Sequence, residues 1–188
     1  TVDVNEARDV KVEMTLTSRH FLGGPYEFKA TQRLALVDGG LDQSVEVQHL
    51  GGTPLPYGLG LHPWFNRTAE AWVQAHVGGV WLSAGDPMPT GHTTSIPDDW
   101  DLSRTMPAFG SFIDNGFTGW SGHARIHLPH VGAEITLEQD EPAESDRYCL
   151  VYRPSAGPAF CFEPITHPID AFHLEGQPGL KTLAEGGT

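Results

Sequence analysis

The segment Phe28-Lys29-Ala30-Thr31-Gln32-Arg33-Leu34-Ala35-Leu36-Val37-Asp38-Gly39-Gly40-Leu41-Asp42-Gln43-Ser44-Val45-Glu46-Val47-Gln48-His49-Leu50 reads as two strands and the turn between them. Asp38-Gly39-Gly40 carries the turn chemistry of a short hairpin, with Phe28 to Val37 and Leu41 to Leu50 as its arms. In the second arm Asp42, Ser44, Glu46 and Gln48 face water opposite Val45 and Val47, the alternation of a strand with one buried face. Working outward, Val10, Val12, Met14 and Leu16 alternate with Lys11, Glu13, Thr15 and Thr17. Val131, Ala133, Ile135 and Leu137 alternate with Gly132, Glu134, Thr136 and Glu138 in the same way. Ala124, Ile126 and Leu128 repeat the pattern, and Tyr148 to Tyr152 forms another short apolar strand. No segment has a convincing helical period, so the pattern predicts an all-β fold, an antiparallel β-sandwich or barrel.

A chain of 188 residues with 39% hydrophobic content fits one domain with one core. Its 11 basic and 24 acidic residues give a formal net charge of -13, which opposes the phosphate contacts of nucleic-acid binding and attraction to anionic lipid. No apolar run approaches the roughly 18 residues that span a bilayer. The polar start Thr1-Val2-Asp3-Val4-Asn5-Glu6 does not read as a signal peptide. Cys149 and Cys161 form neither a disulfide framework nor a zinc ligand set, and they read as core thiols of a cytoplasmic protein. From Ser83 to Trp120 the pattern breaks into Gly, Pro, Asp and Thr clusters, predicting long irregular connections after one short strand at Trp72 to Leu82. The charge run Glu138 to Arg147 reads as a solvated hairpin tip. The chain begins almost directly in a strand and stops at Leu183-Ala184-Glu185-Gly186-Gly187-Thr188, a turn sequence that leads into another strand. Residues 1–188 are therefore expected to form a single β-sandwich domain that is a piece of a larger sheet.

Two stretches carry candidate chemistry. Read as one strand, Tyr57-Gly58-Leu59-Gly60-Leu61-His62-Pro63-Trp64-Phe65 places Gly58, Gly60, His62 and Trp64 on one face. Glycine inside a strand marks a place where a ligand or another backbone comes close, so this face reads as a pocket floor with an imidazole at one end. In Ala159-Phe160-Cys161-Phe162-Glu163-Pro164, Glu163 shares a face with Ala159 and Cys161 on an otherwise apolar strand. Glu163 is either a buried carboxyl tuned upward for general-base work or a strand-end glutamate with its head in water. His62 is either a general acid or a hydrogen-bonded structural residue. Asp114-Asn115-Gly116 is a turn signal, and its aromatic surroundings also fit a carboxylate that accepts hydrogen bonds from sugar hydroxyls. His167 and His173 raise a metal site, but their spacing matches no zinc signature.

Taken together, Pro56 through Phe65, Pro89-Thr90-Gly91, Asp114 in its aromatic loop and Cys161-Phe162-Glu163-Pro164-Ile165-Thr166-His167-Pro168 resemble the aldose 1-epimerase (galactose mutarotase) family in order and rough spacing. The resemblance implies a galactose mutarotase-like supersandwich, present here in part, and interconversion of the α and β anomers of a free hexose. It implies His62 as general acid and Glu163 as general base on opposite sides of the hemiacetal, with Asp114 and Trp64 binding the sugar. It implies no cofactor and no metal. Members carry an arginine and a further histidine before the His-Pro block, which neither Arg33 nor His20 matches, and they are longer than this chain. The alternatives are a hexose-6-phosphate 1-epimerase, for which Arg67 is the nearby cation, and a noncatalytic carbohydrate-binding β-sandwich. The expected partner is a small-molecule sugar rather than nucleic acid or membrane.

Overall fold

Asp38-Gly39 closes its hairpin by pairing Val37 with Gly40, and Gly39 takes the positive φ of 74° that such a turn requires. The computed structural model describes residues 2–5, 10–140 and 147–188. They form two compact units, one from Thr1–Leu59 with Lys181–Thr188 and one from Gly60–Leu180. In the first, β1 (Val2–Asn5), β2 (Lys11–Ser18), β3 (Phe28–Val37) and β4 (Gly40–His49) make an antiparallel sheet in chain order. Register puts Val12 beside Leu34 and Ala30 beside Val47 on one face, and Glu13 beside Arg33 on the other. There Arg33 Nε donates to Glu13 Oε2 at 2.8 Å. A short ribbon of β5 (Leu55–Tyr57) and β16 (Lys181–Leu183) completes the unit. Next to it, buried His49 has Nε2 2.8 Å from the Thr53 carbonyl and Nδ1 2.6 Å from the Tyr57 hydroxyl. A carbonyl can only accept, so Nε2 carries the proton and the Tyr57 hydroxyl donates to Nδ1.

The second unit is a sandwich. Its six-stranded sheet runs β6-β15-β14-β11-β8-β9, and its four-stranded sheet runs β10-β7-β12-β13, antiparallel throughout. The strands are β6 (Trp64–Asn66), β7 (Trp72–Ala75), β8 (Gly79–Ser83), β9 (Pro89–Thr93), β10 (Met106–Pro107), β11 (Ile113–Thr118), β12 (His123–Leu128), β13 (Ala133–Glu138), β14 (Tyr148–Arg153) and β15 (Ala159–Ile165). Val80, Ile113, Phe117, Val151, Phe160 and Phe162 from the first sheet share one buried core with Val73, Ala75, Ala124, Ile126 and Leu128 from the second. This is sheet-on-sheet burial, with alternate residues pointing out of the core. Among the described residues there is no α-helix, only single 3-10 turns, and so no helix long and apolar enough to cross a membrane.

Several expectations are corrected. Residues 57–65 are not one strand, because β5 ends at Tyr57, Gly60 makes only an isolated bridge to Ile165, and β6 begins at Trp64. A Cβ on Gly60 would lie 2.8 Å from Ile165 Cγ2, so the close approach inferred for this glycine is to backbone and side chain of β15. The strand expected at Trp72 to Leu82 is two strands in different sheets, β7 and β8, separated by a corner at Gly78. The region from Ser83 to Trp120 is not wholly irregular, since it contains β9, β10 and β11. Asp114-Asn115-Gly116 is no turn but the interior of β11, paired with β14. Tertiary contacts override turn preference here, because buried Asn115 donates to Trp81 O at 2.8 Å and to Ser83 Oγ at 3.2 Å. Val131 belongs to a 3-10 turn closed by Gly132 N to Pro129 O, which delays β13 to Ala133. Residues 141–146 of the charge run lie outside the described residues.

The connection before β11 is clamped by a residue that sequence patterning passed over. Arg153 ends β14 fully buried, with Nε 2.8 Å from Ser111 O, Nη1 3.1 Å from Pro107 O and Nη2 on the Asp99 carboxylate. Burial pushes the Asp99 carboxyl up, but hydrogen bonds from Ser111 and the charge of Arg153 together hold it below its ordinary value. A buried guanidinium satisfied on three sides organises the loop from which Phe112 and Asp114 enter the sheet.

Candidate functional site

The outer face of the six-stranded sheet assembles the candidate residues by register. Trp64 pairs with Cys161, Cys161 with Tyr152, and Tyr152 with Asp114, so these four form a row across β6, β15, β14 and β11. Two residues along, Glu163 pairs with Leu150 and Leu150 with Gly116. The Gly116 position adds no side chain to the face, and a Cβ built there would meet Ile169 at 3.9 Å. Continuing the β6 and β15 register past Trp64 brings His62 opposite Glu163. Leu61 N donates to Pro164 O at 3.0 Å and the Gly60 bridge holds the same crossing, so the backbone before Pro63 is fixed against β15.

His62 Nε2 lies 3.3 Å from Glu163 Oε1. The two stand side by side, not across a gap as the resemblance implied. The imidazole stacks on Trp64 with centroids 5.2 Å apart and planes at 17°, and Trp64 meets the Tyr152 ring edge-on at 5.9 Å. Phe112, half exposed, lies 6.2 Å from Tyr152 at 90°. His62 and Trp64 are exposed while Glu163 is 7% accessible, so the carboxyl is reached past the histidine ring. Glu163 is thus the buried carboxyl of the two readings and not a strand-end group in water. Cys161 is fully buried next to both, on the site face and not in the core, which only its alternation with Phe160 and Phe162 could have disclosed. Tyr152 joins the face by register, and Phe112 joins it through its ring contact with Tyr152.

The electrostatics follow from this packing. Burial raises the Glu163 carboxyl from 4.5 to about 7, the His62 charge pulls it back in part, and the Asp114 carboxylate pushes it further up. Asp114 is itself raised by burial and partly relieved by His62. Burial, with the charges of Glu163 and Asp114, drives the Cys161 thiol to about 12. A carboxyl that ionises near neutrality, in contact with an imidazole and beside a second carboxylate, can exchange protons with hydroxyl and ether oxygens presented at its rim.

Other candidates lie elsewhere. Arg67 is buried, with Nε donating to Ala108 O at 2.7 Å and its guanidinium 4.1 Å over the Phe109 ring. It is a structural cation and not one at a pocket rim. His167 Nδ1 lies 2.9 Å from Pro168 O and His173 Nδ1 contacts the Asp170 carboxylate. Among the described residues these histidines join no metal-ligating cluster.

The sequence profile of the aldose 1-epimerase family matches residues 1–188. The chain is 30% identical over 168 residues to the uncharacterized protein YphB of Escherichia coli (strain K12), covering 87% of this chain and 58% of that protein. A crystal structure of a candidate aldose 1-epimerase from Escherichia coli K12 superposes with a TM-score of 0.83 at 26% identity, over 98% of this chain and 63% of that one. A galactose mutarotase-like protein from Clostridium acetobutylicum gives 0.78 at 17% identity, over the whole of this chain and 62% of that one. The chain therefore spans about three fifths of the length of these relatives, and the second likeness speaks to fold alone.

Proposed function

The chain belongs to the aldose 1-epimerase family, and from that premise we propose that it interconverts the α and β anomers of a free hexose with Glu163 as general base and His62 as general acid. The observation that carries this reading is the 3.3 Å contact between His62 Nε2 and a Glu163 carboxyl held near pKa 7. Both oxygens that exchange protons in mutarotation are bonded to C1, so an acid and a base in contact suit the reaction better than a pair set far apart.

The steps balance with these two groups. The Glu163 carboxylate takes the proton of the C1 hydroxyl while the His62 imidazolium gives its proton to the ring oxygen. The C1–O5 bond breaks, C1 becomes an aldehyde, and rotation about C1–C2 turns its other face to the C5 hydroxyl. On closure His62 takes the C5 hydroxyl proton and Glu163 returns its proton to the carbonyl oxygen. Each transfer is worth roughly 10² to 10⁴ in rate. Asp114 in this reading accepts hydrogen bonds from sugar hydroxyls, which its row with Tyr152 and Trp64 supports. A hexose 6-phosphate is a weaker fit, since Arg67 and Arg153 are both buried and engaged with backbone carbonyls.

Polarimetry of a freshly dissolved pure anomer tests the reading. Relaxation should be faster with the protein than with buffer. Relaxation at the buffer rate, with sugar binding still seen by titration, would leave a noncatalytic carbohydrate-binding sandwich.

A further inference from the structure

We propose that His62 Nε2, Cys161 Sγ and the Glu163 carboxylate form a site for a thiophilic divalent cation, zinc foremost, whose binding shuts off the acid and base pair. One ligand atom from each residue lies within 4.8 Å of the other two, and among the described residues no other group of three His, Cys, Asp or Glu does so. Two ligands held at roughly 2.0–2.2 Å in a tetrahedron stand about 3.4 Å apart, and His62 Nε2 and Glu163 Oε1 are already 3.3 Å apart.

The donor set decides the ion. One nitrogen, one sulfur and one oxygen suit zinc or cobalt, whereas magnesium and calcium prefer oxygen alone. Cys161 and Glu163 are two residues apart on β15 and therefore project from the same face. Both are buried, so little side-chain freedom is lost when they bind. His62 is exposed and on a loop, which lets the ring open the way to the thiol and close on the ion. Asp114 on the same face adds negative charge without being a ligand. Three protein ligands leave a fourth position for water or a sugar hydroxyl. On binding, the thiol releases one proton to solvent, the histidine lone pair is taken, and one Glu163 oxygen is engaged. The histidine then has no proton to give, and the cation lowers the basicity of the carboxylate.

The blocking effect rests on the acid and base reading; the binding site does not. Cobalt(II) alone, titrated into the chelator-stripped protein without sugar, should saturate at one per chain with a near-ultraviolet sulfur-to-cobalt charge-transfer band. Cys161→Ser should abolish the band and weaken binding at least tenfold, and His62→Asn should weaken binding with the band retained. Cys161→Ala serves as a second variant, since a buried serine hydroxyl could disturb the strand. Absence of the band, or a band unchanged in both cysteine variants, overturns the site. Zinc should slow mutarotation in competition with sugar, reversibly with a chelator; full turnover in zinc-saturated protein overturns the blocking role. A band without any mutarotation in the metal-free protein would leave the site standing and remove the proposed function.

Discussion

Phe160 and Phe162 on one face of β15 and Cys161 and Glu163 on the other are buried to nearly the same degree, yet burial does opposite things to them. On the core face, removing aromatic carbon from water stabilises the sandwich. On the outer face, removing a carboxyl from water costs stability and raises its pKa to where proton transfer is useful. Accessibility alone does not separate a structural residue from a candidate for chemistry. What separates them is whether the buried group has a charge to lose and a partner at hydrogen-bonding range.

Five tests would break or sharpen this contrast. Glu163→Gln should lower the mutarotation rate by roughly 10² to 10⁴ while the protein stays folded by denaturant titration; an unchanged rate would strip the outer face of its assigned role. Phe162→Ala should cost about 3–5 kcal/mol of stability in the same titration, with the rate per folded molecule nearly preserved. If the phenylalanine loss instead leaves stability intact, the two faces are not distinct in the way argued.

The pH dependence gives a third. A carboxyl whose folded pKa lies above its unfolded value makes the folded state bind more protons between the two, so stability falls as pH rises from about 4.5 to about 7 and stays lower above that. Glu163→Gln should remove this loss, on the order of a few kcal/mol, so the variant gains on the parent as pH rises. Melting curves at a series of pH values would show parallel behaviour if the carboxyl were ordinary. The rate needs the carboxylate as well as a proton on His62, so the rising limb of its pH profile, set by Glu163, should lie near 7. Asp114→Asn, by removing the charge that helps raise Glu163, should move that rise to lower pH. The smallest effect is expected for Trp64→Ala. Trp64 is 60% exposed, so stability should change by about 0.5 kcal/mol or less, while KM for the sugar rises several-fold if the ring stacks on it.

How much of this was legible follows from how local each feature is. The β3 and β4 hairpin is readable because turn chemistry at Asp38-Gly39 and alternation along both arms agree over neighbouring residues. Phe160 against Glu163 is readable for the same reason, since a strand sends successive side chains to opposite faces. The Asp114-Asn115-Gly116 segment was not readable as a strand. Its preference for a turn is local, and the bonds from Asn115 to Trp81 and Ser83 that overrule it come from β8, more than thirty residues away. Arg153 escaped notice because its partners, Asp99, Pro107 and Ser111, lie on a connection with no period to read.

The opening hairpin, the all-β class and the face on which Glu163 lies were written in the order of side chains along the chain, because alternation and turn preference act between near neighbours. That His62 touches Glu163, that Cys161 stands between strand and site, and that Tyr152 links Trp64 to Asp114 were decided only in three dimensions. Those adjacencies depend on which strands pair and in what register, and register is chosen by the whole core at once.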